Sequence, residues 1–425
     1  MRVKMAYGRN GLIVDLPEGS SITLIEPEFV PGLSDEQEAI KAALRQPIGM
    51  RPLGELVGPN DRVAVVFSDI TRPMPNERVL PPLLAELELA GVADNNVVLI
   101  NGLGTHRPQT NDELISMLGE RIVKRYAILQ HDAWEKAELT LASYNHVGRP
   151  VYINRTYMDA DIRILTGFIE PHLFAGFSGG PKAVLPGIAD FESILDNHGV
   201  SMLSNPNASM SVIEGNPVWE EMFKVAQSTN PSFLLNVALN RDKQIIGVFA
   251  GDLHQSFTAG VDLVRKTVMR PVQDLFDIVI TSNSGYPLDI NFYQTIKGEA
   301  AAYKILKPGG NILIVAECMD GIPTNSAYQN MLWEANSPKQ LLDKIFEPGF
   351  RQHDQWVAQI HTQILQNAKV HLYSSGLNET EKKRAMVIPC DSVEETISNL
   401  LKENPVSKIA VLPEGPQTVP FYSAG

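Results

Sequence analysis

The segment DRVAVVFSDITRPMPNERVLPPLLAELELAG, residues 61–91, passes from an apolar run through a polar, proline-containing loop into an amphipathic stretch. The run VAVVF, bounded by Asp61-Arg62 and Ser68-Asp69, reads as a strand buried on both faces. LPPLLAELELAG, from Leu80, reads as the helix that follows it. A strand, a polar loop and a helix in that order form the repeating unit of an open α/β sheet.

The same unit recurs outward from this point. NNVVLINGLGTH, from Asn95, is a strand entering a glycine-containing loop, and NDELISMLGE is the next helix. RYAILQ and ADIRILTGFIE, from Arg125 and Ala160, read as further strands, whereas PSFLLNVAL and KQIIGVFAG read as a strand pair across a polar turn. Near Arg270 and Pro271 the pattern restarts: strands in DLFDIVITSNSG, GGNILIVAEC, AKVHLYSS and SKIAVLPEG alternate with helices. The helical segments are FYQTIKGEAAAYKIL, SPKQLLDKIFEPG, QWVAQIHTQILQN and DSVEETISNLLKENP. The expectation is an α/β protein of two domains, 1–270 and 271–425, with mixed or mostly parallel sheets and an active-site cleft between them. PGLSDEQEAIKAALRQP, from Pro31, reads as a helical linker between an initial β element and the main body.

The 425 residues fit two domains, and 44% hydrophobic with 20% charged residues fits a compact soluble chain. A net charge of -13 argues against broad nucleic-acid or anionic-membrane binding, where many phosphates would need neutralising. It leaves room for a locally positive pocket that takes a small anion. Two cysteines, Cys318 and Cys390, exclude a disulfide scaffold and a four-cysteine zinc site. The opening residues lack a secretory pattern and no apolar run is long enough to span a bilayer, so a cytoplasmic protein is expected.

Chemistry-bearing residues collect where strands are expected to end, the usual ligand crevice of such sheets. In SDITRPMPN, Asp69, Thr71 and Arg72 suit an anion, Arg72 by a bidentate carboxylate contact; the same residues also read as a helix cap beside a prolyl turn. In NGLGTHRPQT, His106 follows a glycine turn and suits proton transfer near neutral pH, although a lone surface histidine reads equally well. Gly102-x-Gly104 is not a dinucleotide fingerprint, because Arg107 stands where the third glycine belongs. FIEPHLFAGFSGGPKAVLPGIADFESILDNHG, from Phe168, supplies His172, Lys182 and His198. Pro181 before Lys182 and Ala183 after it rule out an ordinary phosphate loop, leaving Lys182 as an anion holder, a covalent attachment point or a plain loop charge. There is no HExxH segment, so spacing does not favour zinc, and imidazole alone cannot choose among metals. Tyr293, Gln294 and Lys297 in SNSGYPLDINFYQTIKG can face a ligand from one helix or be a routine solvent-facing set. The four tryptophans and Cys318 read as packing residues, and no GxSxG elbow supports a hydrolase triad.

Together SDITRP, GLGTH, EPH, GFSGGPKAVLPG, DNH and FYQTIKG resemble the lactate racemase family, over nearly the whole chain. That resemblance implies racemisation or epimerisation of a small 2-hydroxy acid by reversible hydride transfer through a transient 2-keto acid. The implied cofactor is a nickel-pincer nucleotide, a pyridinium-3-thioamide-5-thiocarboxylic acid mononucleotide carrying nickel. Lys182 is its implied covalent anchor, His198 a nickel ligand, and His106 and His172 the acid/base pair. Arg72, Gln294, Lys297 and Tyr293 are implied at the substrate, with Asp69 supporting. Accessory enzymes that build the cofactor are the implied partners. An NAD-dependent 2-hydroxy-acid dehydrogenase and a non-catalytic hydroxy-acid or cofactor-binding protein remain the alternatives.

Overall fold

In the computed structural model, which describes residues 1–17 and 21–423, Val63–Ser68 is an inner strand of a six-stranded sheet. The order across that sheet is Ile245–Gly251, Phe233–Leu239, Ile162–Phe168, Val63–Ser68, Val97–Gly102, Ala127–Gln130. Every neighbouring pair is parallel except the edge hairpin formed by Phe233–Leu239 and Ile245–Gly251. Val65 lies opposite Leu99 on one side and Ile164 on the other. Residues Val63, Ala64, Val65, Val66 and Phe67 are all buried, as a parallel strand covered on both faces requires. Helix Asn76–Leu89 adds Val79, Leu80, Leu83 and Leu87 to the same core.

Chain order fixes where a ligand can approach. From Val63–Ser68 the chain builds outward through Val97–Gly102 and Ala127–Gln130, then returns to the opposite side of Val63–Ser68 with Ile162–Phe168. The strand order therefore reverses between Val63–Ser68 and Ile162–Phe168. In open α/β sheets the connections leave opposite faces at such a point and open a crevice at the carboxyl ends.

Two compact units are present: Phe29–His198 with Asn205–Thr267, and Met1–Glu28 with Gly199–Ser204 and Val268–Gly425. This differs from a single division between residues 270 and 271. The restart near Pro271 lies close to the observed return at Val268, but the first 28 residues belong with the C-terminal segment. Strand Ser21–Leu24 pairs in parallel with Lys408–Leu412, and the hairpin of Arg2–Met5 and Leu12–Asp15 buries Val3, Met5 and Val14 in that unit's core. The second sheet runs Ile388–Cys390, Lys369–Tyr373, Leu306–Val315, Phe276–Ser282, Lys408–Leu412, Ser21–Leu24, parallel throughout.

Helix Glu36–Arg45 is not a linker. Its spacing sends Ile40 and Leu44 into the core beneath Val63–Ser68, while Asp35 caps its start by accepting from the Glu38 N–H. Cys318 is buried, and burial pushes its thiol up to about 12. Trp219 and Trp356 are buried as expected, but Trp134 and Trp333 are exposed. Trp333 lies beneath the Arg384 guanidinium, 4.8 Å from its ring centre, and Trp134 packs on Phe191.

In the second unit a fully buried ion pair ties helix Gln355–Leu365 to helix Phe292–Tyr303. His361 Nδ1 lies 2.8 Å from Glu299 Oε2, and His361 Nε2 lies 2.9 Å from the Ala385 carbonyl. Burial by itself would depress this imidazole, but Glu299 and the Ala385 carbonyl outweigh it and hold the pKa above its ordinary 6.5. A raised folded-state pKa means proton uptake on folding. The pair's stabilisation is fully present below the unfolded value and is lost as pH rises through the folded value.

Ile40→Ala should destabilise the protein by ~2–5 kcal/mol in denaturant unfolding; a linker helix would show almost no change. Urea midpoints taken from about pH 6 upward should fall, and His361→Gln should flatten that slope.

Candidate active site

At the carboxyl end of Val63–Ser68 the chain turns polar at once. Asp69 is buried, with Oδ1 accepting from the Thr71 hydroxyl at 2.9 Å and Oδ2 lying 2.6 Å from His106 Nδ1. Burial would raise this carboxyl, yet His106 and then Arg72 more than offset it, so the pKa is lowered and Asp69 is a carboxylate. A carboxylate only accepts, so His106 donates through Nδ1–H and its Nε2 is left to exchange a proton. Arg72 Nη1 is buried and meets no protein acceptor among the described residues. An orphaned guanidinium nitrogen is costly unless an anion completes it, and a ligand carboxylate has the matching fork geometry.

The loop after Ile162–Phe168 carries the second group. Pro171–His172 pairs antiparallel with Gly176–Phe177, and this short ribbon buries His172. The Ala175 N–H donates to His172 Nδ1 at 3.2 Å, and His172 Nε2 lies 3.0 Å from Lys182 Nζ. With Nδ1 accepting, the proton of a neutral His172 ring is on Nε2, the atom that faces the lysine amine. Lys182 sits in the turn Gly180–Ala183, pinned by a 2.8 Å hydrogen bond from the Gly180 N–H to Asn236 Oδ1. Gly180 has φ +52, and a Cβ there would approach Phe257 Cδ2 to 2.5 Å. The Gly104 N–H donates to the Gly187 carbonyl at 2.9 Å, which ties the His106 loop to the Lys182 loop.

His198 ends helix Phe191–Asn197, which starts with Asp190 accepting from the Ser193 N–H. The ring is buried, and burial together with the Lys182 charge holds its pKa well below the ordinary value, so it is neutral. Phe174 stands edge-on to both His172 and His198, 4.8 Å from each ring centre. A neutral buried imidazole is the form that ligates a metal. No group of three or more His, Cys, Asp or Glu side chains that could hold an ion exists among the described residues. His198 can offer one ring nitrogen to a metal, and Lys182 lies near enough for its charge to act on that ring, so the two residues fit a metal-bearing group held by both.

Tyr293, Gln294 and Lys297 lie in the other compact unit, on helix Phe292–Tyr303, capped by Asn291. The Tyr293 hydroxyl accepts from Trp356 Nε1 at 2.9 Å, and the ring stands edge-on to Tyr328. Gln294 is buried, and its Oε1 has no partner among the described residues. Lys297 is half-buried.

Sequence reading singled out each residue of these groups but missed Asn236, which anchors the lysine turn, and Phe174, which spaces the two histidines. Asn236 lies mid-strand in an apolar run, and a lone buried asparagine there was the available signal.

A braced histidine, a half-buried Lys-His pair and a neutral imidazole thus stand together in one α/β unit. Two family models match the chain. The lactate racemase N-terminal domain matches residues 7–211 and the lactate racemase C-terminal domain matches residues 272–419. Lactate racemase of Thermoanaerobacterium thermosaccharolyticum is 35% identical over 422 residues, 97% of each chain. That of Lactiplantibacillus plantarum is 35% identical over 383 residues, 89% of this chain and 90% of the other. The lactate racemase apoprotein structure from T. thermosaccharolyticum superposes with a TM-score of 0.93 at 33% identity, covering 99% of this chain and 100% of that one. A Thermotoga maritima protein shares the fold, with a TM-score of 0.70 at 19% identity. The chain belongs to the lactate racemase family.

Gly180→Ala should cost ~1–3 kcal/mol in thermal unfolding, since both its φ and its contact with Phe257 must give. Gly148→Ala, where an added Cβ meets nothing within 4 Å, separates the φ penalty from the clash.

Proposed function

We propose that this protein racemises or epimerises a small 2-hydroxy acid, using a nickel-pincer nucleotide attached covalently to Lys182. The observation that carries the reading is the half-buried Lys182-His172 pair, with the neutral His198 across Phe174. Curated relatives named lactate racemase support the same reaction class.

Lys182 and His198 would hold the group, the first as covalent anchor and the second as nickel ligand. When bound, the nickel-pincer nucleotide supplies a reversible acceptor for the substrate Cα hydride, so substrate passes through its 2-keto acid without net oxidation. Arg72 pairs its unpartnered nitrogen with the substrate carboxylate and fixes the orientation of Cα. His106 and His172 exchange the hydroxyl proton, one for each starting enantiomer. Asp69 keeps His106 in the tautomer whose Nε2 accepts a proton, while the Ala175 N–H holds His172 in the tautomer whose Nε2 carries a proton to donate. Substrate-binding roles for Gln294, Lys297 and Tyr293 are part of the proposal, as is supply of the cofactor by accessory enzymes.

Intact-protein mass spectrometry after co-expression with cofactor-making enzymes should show a mononucleotide adduct that Lys182→Ala abolishes. The loaded protein should convert a pure 2-hydroxy-acid enantiomer to its mirror image with no change in NADH absorbance. Net keto-acid release coupled to NAD reduction would instead establish a dehydrogenase. His106→Ala and Asp69→Asn should each lower turnover by about 10²–10⁴-fold while leaving the adduct mass unchanged.

A further inference from the structure

His198 rests on a chain of hydrogen bonds that ends at the turn of a hairpin. Asn197, fully buried, donates through Nδ2 to the Val218 carbonyl at 3.1 Å and to Glu221 Oε2 at 2.8 Å. Both partners are acceptors only, so the amide cannot be reversed without setting oxygen against oxygen. Asn197 Oδ1 is thereby fixed toward His198 Nδ1, at 3.0 Å. An amide oxygen only accepts, so the proton of a neutral His198 ring is on Nδ1 and the lone pair is on Nε2.

The far end of the chain is equally determined. Glu221 Oε1 accepts from both the backbone N–H and Nδ1 of His146, each at 2.7 Å. His146 lies in the turn between strands Leu139–Tyr144 and Pro150–Asn154. The same turn grips Asp196, just before Asn197, through Asn145 Nδ2 at 2.7 Å and Arg149 Nη1 at 3.0 Å. Asn145 Oδ1 in turn accepts from the N–H groups of Val147 and Arg149, which holds the turn in shape.

We propose that Asn197, Glu221 and His146 form a positioning relay that fixes the tautomer of His198, so that its Nε2 is the atom offered to nickel. The proposal rests on the reading of His198 as the nickel ligand. The three residues touch neither substrate nor reacting atoms. They act through the ring that does, as outer partners of a ligating histidine generally do.

The tautomer is measurable without cofactor. In ¹⁵N-histidine-labelled apoprotein, NMR should show the His198 proton on Nδ1, with His198→Gln supplying the assignment. Asn197→Leu should yield a mixture with Nε2–H and, after loading, shorten nickel retention on dialysis by about 10–100-fold with the Lys182 adduct mass unchanged. Asn197→Asp alone sets a carboxylate against Glu221 and should also weaken retention. Adding Glu221→Gln restores a donor toward residue 197, although the Val218 carbonyl still faces an oxygen, and should recover part of it, a rescue that a purely structural role does not predict. A wild-type proton on Nε2 overturns the proposal, as does Asn197→Leu with tautomer and retention both unchanged. A wild-type protein that takes up no nickel overturns the ligand reading itself, while the apoprotein spectrum still reports the tautomer, so the two failures are distinct.

Discussion

Val63–Ser68 is buried on both faces from Val63 to Phe67, and apolar side chains fill that length. Each residue from Val63 to Phe67 is inside, so polar chemistry is confined to where the strand stops, and there Asp69 begins. The mostly buried strands Val97–Gly102 and Ile162–Phe168 beside it are likewise followed by the His106 loop and the His172 ribbon. Parallel pairing puts these three ends at one edge of the sheet, and the reversal of strand order opens the crevice there. Sheet burial is therefore the constraint from which the site's position follows.

Within the crevice the governing rule is that buried polar atoms must be satisfied. Asp69 is ionised because His106 and Arg72 outweigh its burial, and an ionised Asp69 dictates which nitrogen of His106 is protonated. Asn197 cannot turn its amide without losing two acceptors, and that dictates the proton position on His198. Asn236 fixes the lysine turn by the same logic. Arg72 Nη1 is among the buried atoms left without a partner among the described residues, as is Gln294 Oε1 in the other unit, and both belong to residues expected at the substrate. A polar atom without a protein partner at a ligand site marks where a ligand group belongs.

Local pattern carried much of this into the sequence. The strand at residues 61–69, the helix from Leu80 and the glycine loop before His106 were all readable, because burial on one or both faces leaves a period of two, a period of 3.6 or an apolar run. The site residues were readable for a different reason, since they sit in polar interruptions directly after such runs. Helix Glu36–Arg45 looked like a linker because its apolar signal is thin; only two residues, Ile40 and Leu44, bury its face. Trp134 and Trp333 looked like core residues because aromatic area usually is, but each rests on a surface neighbour instead.

The sequence by itself determined the α/β class, the strand ends that hold Asp69, Arg72, His106 and His172, and the likeness of the Lys182 turn to one family. These are local properties, written in periodicity and short motifs. Tertiary structure alone decided that Ser21–Leu24 completes the C-terminal sheet, that the Lys182 amine meets His172 Nε2, and that Glu221 and His146 stand behind His198. Strand partners and hydrogen-bond partners lie tens to hundreds of residues apart along the chain, and Ser21–Leu24 joins Lys408–Leu412 through backbone groups that every residue has. Such pairings leave no mark in a local window, so they become visible only when the chain has folded.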